Sequence, residues 1–298
     1  MKKINNPYAL MPALLIFWGS FAAVSKLMLA DMDGYLVLFF IFLSGAAAMT
    51  AAGLINKKLF GLNRLGLKKS RALVFNGVFH FLYYFLYILA LESVPSVTAS
   101  MINYLFPIFI IVFAVPINKE RLTAVKAVSA AVCFAGVAVI LTDGRFNRVN
   151  IPNAAGGLLA LGAAISWGLF SNFGKKNESG PFESYFVYVI TGLMLSIPAV
   201  LIKSSFVFPG YVGLAGCFWL GLSNLALAFP IWFKALKSSS SGAANLSFFA
   251  PFVTLIFIAA LTDEIIAPSA VAGVILIVAG NVLPAALKRF APVKKGGA

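Results

Sequence analysis

Residues 97–116 read VTASMINYLFPIFIIVFAVP, a run of twenty residues that is apolar except at a few positions. Inside it, Asn103, Tyr104 and Pro107 bring together an amide, a phenol and a helix-breaking residue. A buried amide is costly unless it finds a hydrogen-bond partner, and proline removes one helical hydrogen bond. The stretch therefore predicts a helix that bends at Pro107, with Asn103 and Tyr104 facing something other than lipid.

The whole chain is too apolar for a soluble protein. Of its 298 residues, 61% are hydrophobic and 11% are charged, and the mean hydropathy is +0.96. A soluble domain is about 25% charged. The composition predicts an all-α integral membrane protein that crosses the bilayer many times. Cys133 and Cys217 lie in apolar runs without metal-ligand spacing, so we expect neither a metal nor another cofactor.

Ten apolar runs of about twenty residues are long enough to cross a membrane. The first continues to Leu29 without a small-residue cleavage site, which favours a retained helix over a cleaved signal peptide. The connections are short, so we expect no soluble domain. The predicted spans are 8–29, 35–55, 72–91, 97–116, 124–142, 154–174, 182–202, 210–233, 243–262 and 268–287.

The net charge of +14 follows the predicted topology rather than pointing to nucleic acid. If the N-terminus is inside, nineteen of the 23 Lys and Arg residues fall on cytoplasmic segments, as is usual for membrane proteins. The acidic residues gather at the opposite ends of the spans, as Asp31, Asp33 and Asp263 do. We therefore expect both termini to be cytoplasmic.

The two halves of the chain resemble each other. FWGSFAAVSK (17–26) aligns with SWGLFSNFGK (166–175), and NYLFPIFIIVFAVPINKE (103–120) aligns with SFFAPFVTLIFIAALTDE (247–264). Because five spans is an odd number, the second unit must enter the membrane inverted. We thus expect two inverted five-helix repeats, residues 8–142 and 154–287. Secondary transporters are commonly built this way, with the substrate near the midplane and alternating access around it.

Ten spans, Trp-Gly within spans one and six, and a proline in spans four and nine resemble the drug/metabolite transporter superfamily in its EamA-type branch. Met101, Asn103, Tyr104, Leu105 and Pro107 look like the fourth span of the bacterial aromatic amino acid exporters, which often have Trp where this chain has Phe106. The resemblance implies a multi-pass protein of the bacterial cytoplasmic (inner) membrane that exports small metabolites.

Polar and aromatic side chains recur at helical spacing and mark one face of several predicted spans, most clearly of span three. We expect these side chains to line a hydrated cavity between the halves, with Pro107 and its mate Pro251 bending the helices beside it. No catalytic residue is expected. The predicted substrate-binding residues are Trp18, Asn76, His80, Tyr83, Tyr84, Tyr87, Asn103, Tyr104, Trp167, Ser171, Asn224, Trp232 and Ser247.

Each of these residue types also has a structural interpretation. Ser and Asn often join membrane helices, and Tyr and Trp near span ends are usually interfacial anchors. We expect Lys26 and Lys175, late in spans one and six, to extend toward the membrane surface, rather than to attract a carboxylate-bearing substrate. The aromatic residues expected to act as anchors, or simply to be packed, are Tyr35, Tyr185, Tyr211 and Trp219.

None of the nine acidic residues lies near the middle of a predicted span. Intramembrane carboxylates are common relays in proton-driven pumps, so their absence argues against a proton antiporter that holds cations by charge. Aromatic rings, amides and hydroxyls suit an uncharged or zwitterionic metabolite. We therefore expect a secondary transporter that exports small amphipathic metabolites, with aromatic or other hydrophobic amino acids the best candidates.

Other functions remain open at this point. A transporter for organic cations or drugs would hold its substrate in an aromatic cage. A channel would differ in lacking saturable counterflow. A membrane enzyme is disfavoured, because the chain has one His and no paired mid-span carboxylates. The expected partners are a small-molecule substrate and the lipid bilayer, not nucleic acid, and a chain with both halves is able to act as a monomer.

Overall fold

The computed structural model describes residues 7–145, 153–232 and 246–290, and within them it contains helices and no strand. A short 3-10 helix, Lys58–Arg64, joins the second and third helices. The α-helices are α1 Pro7–Met28, α2 Gly34–Ile55, α3 Leu67–Ser93, α4 Ser96–Asn103, α5 Phe106–Asn118, α6 Ala124–Leu141, α7 Ala154–Lys175, α8 Pro181–Lys203, α9 Tyr211–Leu220, α10 Ala250–Leu261 and α11 Pro268–Phe290.

These helices confirm the predicted all-α membrane fold. Eight helical segments in the described ranges are long and apolar enough to cross a membrane, with α4 and α5 together forming one of them. Two further apolar helices, Ala250–Leu261 and Pro268–Leu283, are shorter. The ten segments coincide with the ten predicted spans, except that residues 233 and 243–245 of spans eight and nine lie outside the described residues. Both chain ends, 1–6 and 291–298, also lie outside them.

The helix starts follow local capping chemistry. Asp33 accepts a hydrogen bond from the Leu36 amide at 2.9 Å before α2, and Asn153 accepts from Ala155 at 3.0 Å before α7. Such caps satisfy amides that have no partner inside the helix. Asp33 also accepts a hydrogen bond from Ser204 at 2.7 Å, which ties the start of α2 to the end of α8.

The fourth predicted span is broken in the middle. α4 ends at Asn103 and α5 begins at Phe106, with a tight turn in which the Leu105 amide donates to the Ile102 carbonyl at 3.0 Å. Pro107 lies in the first turn of α5. At that position the missing N–H removes no hydrogen bond within the new helix, so proline is compatible with a helix start.

The ninth span has the same local geometry. Phe249, the counterpart of Leu105 in the aligned halves, donates to the Leu246 carbonyl at 3.1 Å immediately before α10. Pro251 then occupies the first turn of α10, as Pro107 does in α5. Both prolines therefore follow a turn that interrupts an apolar span.

Helices from the two halves alternate within one bundle. α3 packs between α7 and α8, while α1 packs against α9 and α10. α5 lies along α7, and α2 lies along α8. α6 and α11 form a pair whose strongest contacts are with each other. The largest cluster of buried apolar side chains draws on both halves of the chain.

Glycine brings α6 and α11 into backbone contact. A Cβ added to Gly136 would lie 2.6 Å from the Gly273 carbonyl oxygen, and one on Gly273 would lie 2.5 Å from that of Gly136. Real side chains do not approach a backbone atom so closely. Both positions therefore require glycine, as at close helix crossings in membranes.

The helix that begins at α9 widens where it meets α2. Residues Gly221–Leu227 form a π-helical segment before the α-helix resumes up to Trp232. Ser44 on α2 donates to the Cys217 carbonyl at 3.0 Å, close to the start of this segment. Short π-helical insertions are frequent at functional sites.

Candidate functional site

The polar stripe predicted on α3 faces the second half of the chain. Asn76, His80, Tyr84 and Tyr87 are buried, and Tyr83 is partly buried. α7 and α8 are the helices that pack on α3 most closely. The stripe therefore lies at the contact between the halves, although a hydrated chamber around it stays a prediction.

His80 is the centre of this region. Its side chain is 0% exposed, and Nε2 lies 2.8 Å from the hydroxyl of Tyr185 on α8. Nδ1 is buried and has no hydrogen-bond partner among the described residues. The rings of Tyr84 and Phe170 lie 5.0 and 5.1 Å from the imidazole, so aromatic groups from both halves surround it.

A second part of the region joins α3, α4 and α7. The rings of Tyr83 and Trp167 lie 4.6 Å apart, and the Asn103 amide donates to the Tyr83 hydroxyl at 3.3 Å. The Asn103 carbonyl oxygen is buried without a partner among the described residues. Phe106, after the chain break, packs edge-on against Trp167 at 6.1 Å.

Two more hydrogen bonds hold the chain break in place. The Tyr87 and Ser100 hydroxyls are 2.9 Å apart, which joins α3 to α4. The Tyr104 and Thr254 hydroxyls are 2.8 Å apart, which joins the break to α10 of the second half. These residues and those around His80 form what we call the ring cluster, composed of His80, Tyr83, Tyr84, Tyr87, Asn103, Tyr104, Phe106, Trp167, Phe170, Tyr185 and Phe229.

The structure does not bring every predicted residue into the ring cluster. Trp18 and Trp232 pack edge-on at 5.5 Å in a separate apolar cluster with Met11 and Leu14. Asn224 donates to the Phe17 carbonyl at 3.1 Å, which joins the π-helical segment to α1. These three side chains are packed away from His80.

Ser171 donates to the Trp167 carbonyl of its own helix at 2.7 Å, as hydroxyls in membrane helices often do. Ser247 is half-buried in the last turn before Pro251. Asn76 is buried one helical turn before His80 and lines a cavity described below.

Some residues of the ring cluster were not predicted from the sequence. Tyr185 was expected to be an anchor or simply packed, but it is the hydrogen-bond partner of His80. Phe170 contacts His80 from α7, and the ring of Phe229 stacks on Tyr185 at 3.6 Å. Spacing offered one signal: Tyr185 and Tyr188 are three residues apart and share a face of span seven.

An ion-pair network closes one end of the bundle. Glu120, just after α5, lies 3.0 Å from the Lys126 ammonium and 3.1 Å from that of Lys175. Hydrogen bonds from Lys126 and Lys175 lower the pKa of Glu120 below its usual 4.5. The carboxylate is therefore charged at neutral pH, and its contribution is lost only as the pH falls below that range.

The opposite end uses the aligned residues differently. Lys26, the counterpart of Lys175, donates to the Leu91 carbonyl at 2.8 Å and so caps the end of α3 instead of extending into the surface. Glu264, the counterpart of Glu120, accepts from the Ser96 amide at 2.6 Å and the Val97 amide at 3.1 Å. A carboxylate at the start of α4 satisfies free amides and complements the helix dipole.

Within the described residues, no group of three or more His, Cys, Asp or Glu side chains is placed to hold a metal ion. The chemistry available in the ring cluster is that of rings, amides and hydroxyls. Such groups bind and orient a small amphipathic molecule.

Fold and site together define a multi-pass membrane protein with an aromatic, uncharged centre between its halves. The chain belongs to the EamA-like transporter family, whose profile matches residues 7–142 and 154–284. This family lies within the drug/metabolite transporter superfamily, and it is a family of transporters rather than enzymes.

Curated bacterial proteins resemble parts of the chain. The aromatic amino acid exporter YddG of Ancylobacter novellus is 27% identical over 161 residues, which cover 52% of this chain and 54% of the relative. The uncharacterized transporter YvbV of Bacillus subtilis is 27% identical over 206 residues, covering 66% and 65%. The chain thus spans about half to two thirds of the length of these relatives. The bacterial relatives and the many apolar helices indicate a multi-pass protein of the bacterial inner membrane.

A solved crystal structure has the same fold. It matches with a TM-score of 0.70 at 20% identity, over 96% of this chain and 98% of the other. At that identity the likeness concerns the fold.

Proposed function

We propose that this protein is a secondary transporter that exports small amphipathic metabolites, best of all amino acids with aromatic or other hydrophobic side chains. The observation that carries the proposal is the ring cluster: aromatic, amide and hydroxyl groups from both halves meet there. Rings match an aromatic side chain, while amides and hydroxyls match the carboxylate and amine of a zwitterion. The likeness to the exporter YddG supports the same substrate class.

Alternating access follows from two inverted halves, and the helix packing supports this arrangement. In the aligned halves α1 corresponds to α7, α3 to α9, and α5 to α10. α3 packs on α7 as α9 packs on α1, and α5 packs on α7 as α10 packs on α1. A two-fold axis in the membrane plane would generate these equivalent contacts. The repeats are then residues 8–142 and 154–287, and one chain acts as a monomer.

We place both termini in the cytoplasm. Lys2, Lys3, Lys294 and Lys295, which contributed to this expectation, lie outside the described residues. Described basic residues on the same end of the bundle support the orientation, among them Lys57 and Lys58 before α3 and Lys176 after α7. The Glu120 network then lies at the cytoplasmic end, and Lys26 and Glu264 lie at the outer end.

The Glu120 network is expected to hold the cytoplasmic ends of α5 and α7 together. The Glu120→Gln variant removes the negative charge and should raise amide hydrogen exchange in residues 117–124 and 172–177 by up to about fivefold, since exposed ion pairs contribute about 1 kcal/mol or less. Lys26→Gln, at the opposite end, is the matched control. Unchanged exchange in Glu120→Gln would show that these ion pairs do not hold the helices.

The substrate class is tested by counterflow in liposomes that contain the purified protein. Vesicles preloaded with phenylalanine or tryptophan should take up the labelled amino acid, and uptake should saturate. Preloading with phenethylamine or a quaternary amine should give little exchange. The reverse pattern would contradict the proposal and favour the second candidate.

That second candidate is a transporter of organic cations. It is favoured by one observation, the close approach of several rings around Trp167, because aromatic faces attract cations even without a carboxylate. The proposed mechanism for either substrate uses no mid-span acidic residue as a proton relay.

A further inference from the structure

A cavity of about 440 Å³ lies between the first turns of α3, the end of α7 and α8. Its volume is within the range of about 300–1,000 Å³ that is usual for small-molecule sites. Asn76 and Tyr188 form part of its wall, and Lys68, Lys69, Lys176 and Glu178 lie around it. In the proposed orientation the cavity is at the cytoplasmic end of the bundle.

The inner wall of this cavity belongs to the ring cluster as well. Asn76 precedes His80 by one helical turn on the same face of α3. The Tyr188 ring lies 5.2 Å from Phe170 and 6.2 Å from His80. A molecule held in the cavity is therefore separated from the centre of the bundle by a single layer of side chains.

Asn76 is the group that points to a ligand. Its side chain is 3% exposed, and neither its amide nitrogen nor its carbonyl oxygen has a hydrogen-bond partner among the described residues. Tyr188, on the same wall, already accepts a hydrogen bond from Asn177 at 3.3 Å. A buried amide without partners costs free energy, so it is expected to bind something that enters the cavity.

The charge around the cavity defines the chemistry of that ligand. Lys68, Lys69 and Lys176 are exposed and face a single acidic residue, Glu178. None of the four forms an ion pair with another described residue. An unneutralised basic rim concentrates anions, and the Asn76 amide nitrogen is able to donate to an anionic oxygen.

We propose that this cavity is the cytoplasmic loading site of the transporter, and that it selects substrates that carry a carboxylate. The lysines attract the carboxylate, and Asn76 binds it next to the ring cluster. The inference rests on the proposed transport function. It narrows that function, because an organic cation would be repelled at this rim.

A labelling experiment tests the site without measuring transport. Ala72 is exposed, lines the cavity and lies one turn before Asn76, so Ala72→Cys introduces a small reporter there. The native Cys133 and Cys217 are buried, and the unchanged protein gives the background. The protein is placed in phosphatidylcholine nanodiscs and treated with anionic sulfonatoethyl or cationic trimethylammonioethyl methanethiosulfonate. We expect the anionic-to-cationic rate ratio to exceed that of 2-mercaptoethanol about tenfold.

The lysines are tested by two triple variants with the same change in charge. Lys68→Gln/Lys69→Gln/Lys176→Gln should reduce the ratio at position 72 to that of 2-mercaptoethanol. Control substitutions to Gln, away from the cavity, should preserve it; they are at Lys57, Lys119 and Lys203. Equal ratios in all three proteins, or no preference in the parent, would overturn the electrostatic part of the proposal.

Protection of the reporter identifies the ligand group. Phenylacetate and phenylalanine should slow labelling at position 72, phenethylamine should not, and Asn76→Ala should weaken the protection. Protection by phenylacetate but not by phenylalanine would retain the carboxylate site and reject amino acids as substrates. Equal protection by phenethylamine, or no protection by any of the three, would overturn the loading site. Protection only after phosphatidylglycerol is added would assign the cavity to a lipid headgroup instead.

Discussion

The His80→Phe variant is expected to lose about tenfold or more of its counterflow activity while it still folds and reaches the membrane. Phenylalanine retains a ring of similar shape but removes both nitrogens, including the one 2.8 Å from Tyr185. A tenfold loss corresponds to about 1.4 kcal/mol, which is within the cost of leaving a buried hydroxyl without its partner. Counterflow of phenylalanine, normalised to folded protein, measures the effect.

Two further variants separate a role in transport from a role in packing. Tyr185→Phe removes the same hydrogen bond from the other side, and we expect a smaller loss, because the unpartnered Nδ1 of His80 remains available to substrate. Ser166→Ala is the control, since its hydroxyl donates to the Gly162 carbonyl of its own helix at 2.8 Å. If His80→Phe and Tyr185→Phe lose equal activity and equal stability, His80 only joins α3 to α8.

The Gly136→Val variant is expected to show the largest loss of stability. A Cβ at Gly136 would lie 2.6 Å from the Gly273 carbonyl oxygen, so α6 and α11 must separate. Overpacking of this kind costs typically about 1–3 kcal/mol, and a backbone contact places it at the upper end. The midpoint of thermal unfolding of the purified protein should fall by several degrees, with a matching loss of membrane expression.

Gly162→Ala is the matched substitution inside another helix. A Cβ there meets only the end of the Leu86 side chain at 3.1 Å, and that side chain is able to move. We expect a small change in the unfolding midpoint. A Gly136→Val protein as stable as Gly162→Ala would show that α6 and α11 do not cross as closely as described.

The ten spans were predictable because hydrophobic length alone identifies a membrane helix. The stripe on α3 was also predictable: four residues separate Asn76 from His80 and again His80 from Tyr84, which places them on one face. A proline inside an apolar run predicted an irregular helix. The place of the irregularity was not predictable to the residue, because the turn at Leu105 forms two residues before Pro107.

Other features depended on contacts that spacing does not encode. Trp18 and Trp167 are aligned in the two halves, yet one packs on Trp232 and the other on Tyr83. A side chain at mid-span meets whatever helix packs there, and α1 and α7 have different neighbours. Lys26 likewise satisfies carbonyl groups at the end of α3, which a single span in isolation does not show.

The most direct test of substrate binding in the ring cluster uses its own tryptophan. In variants that keep one of the four tryptophans and replace the others by phenylalanine, excitation at a wavelength that phenylalanine does not absorb isolates a single reporter. We expect phenylalanine to change the fluorescence of Trp167 saturably, and to leave that of Trp18, Trp219 and Trp232 almost unchanged. A response from Trp18 and Trp232 with a silent Trp167 would place the substrate in the other cluster and contradict the site described above.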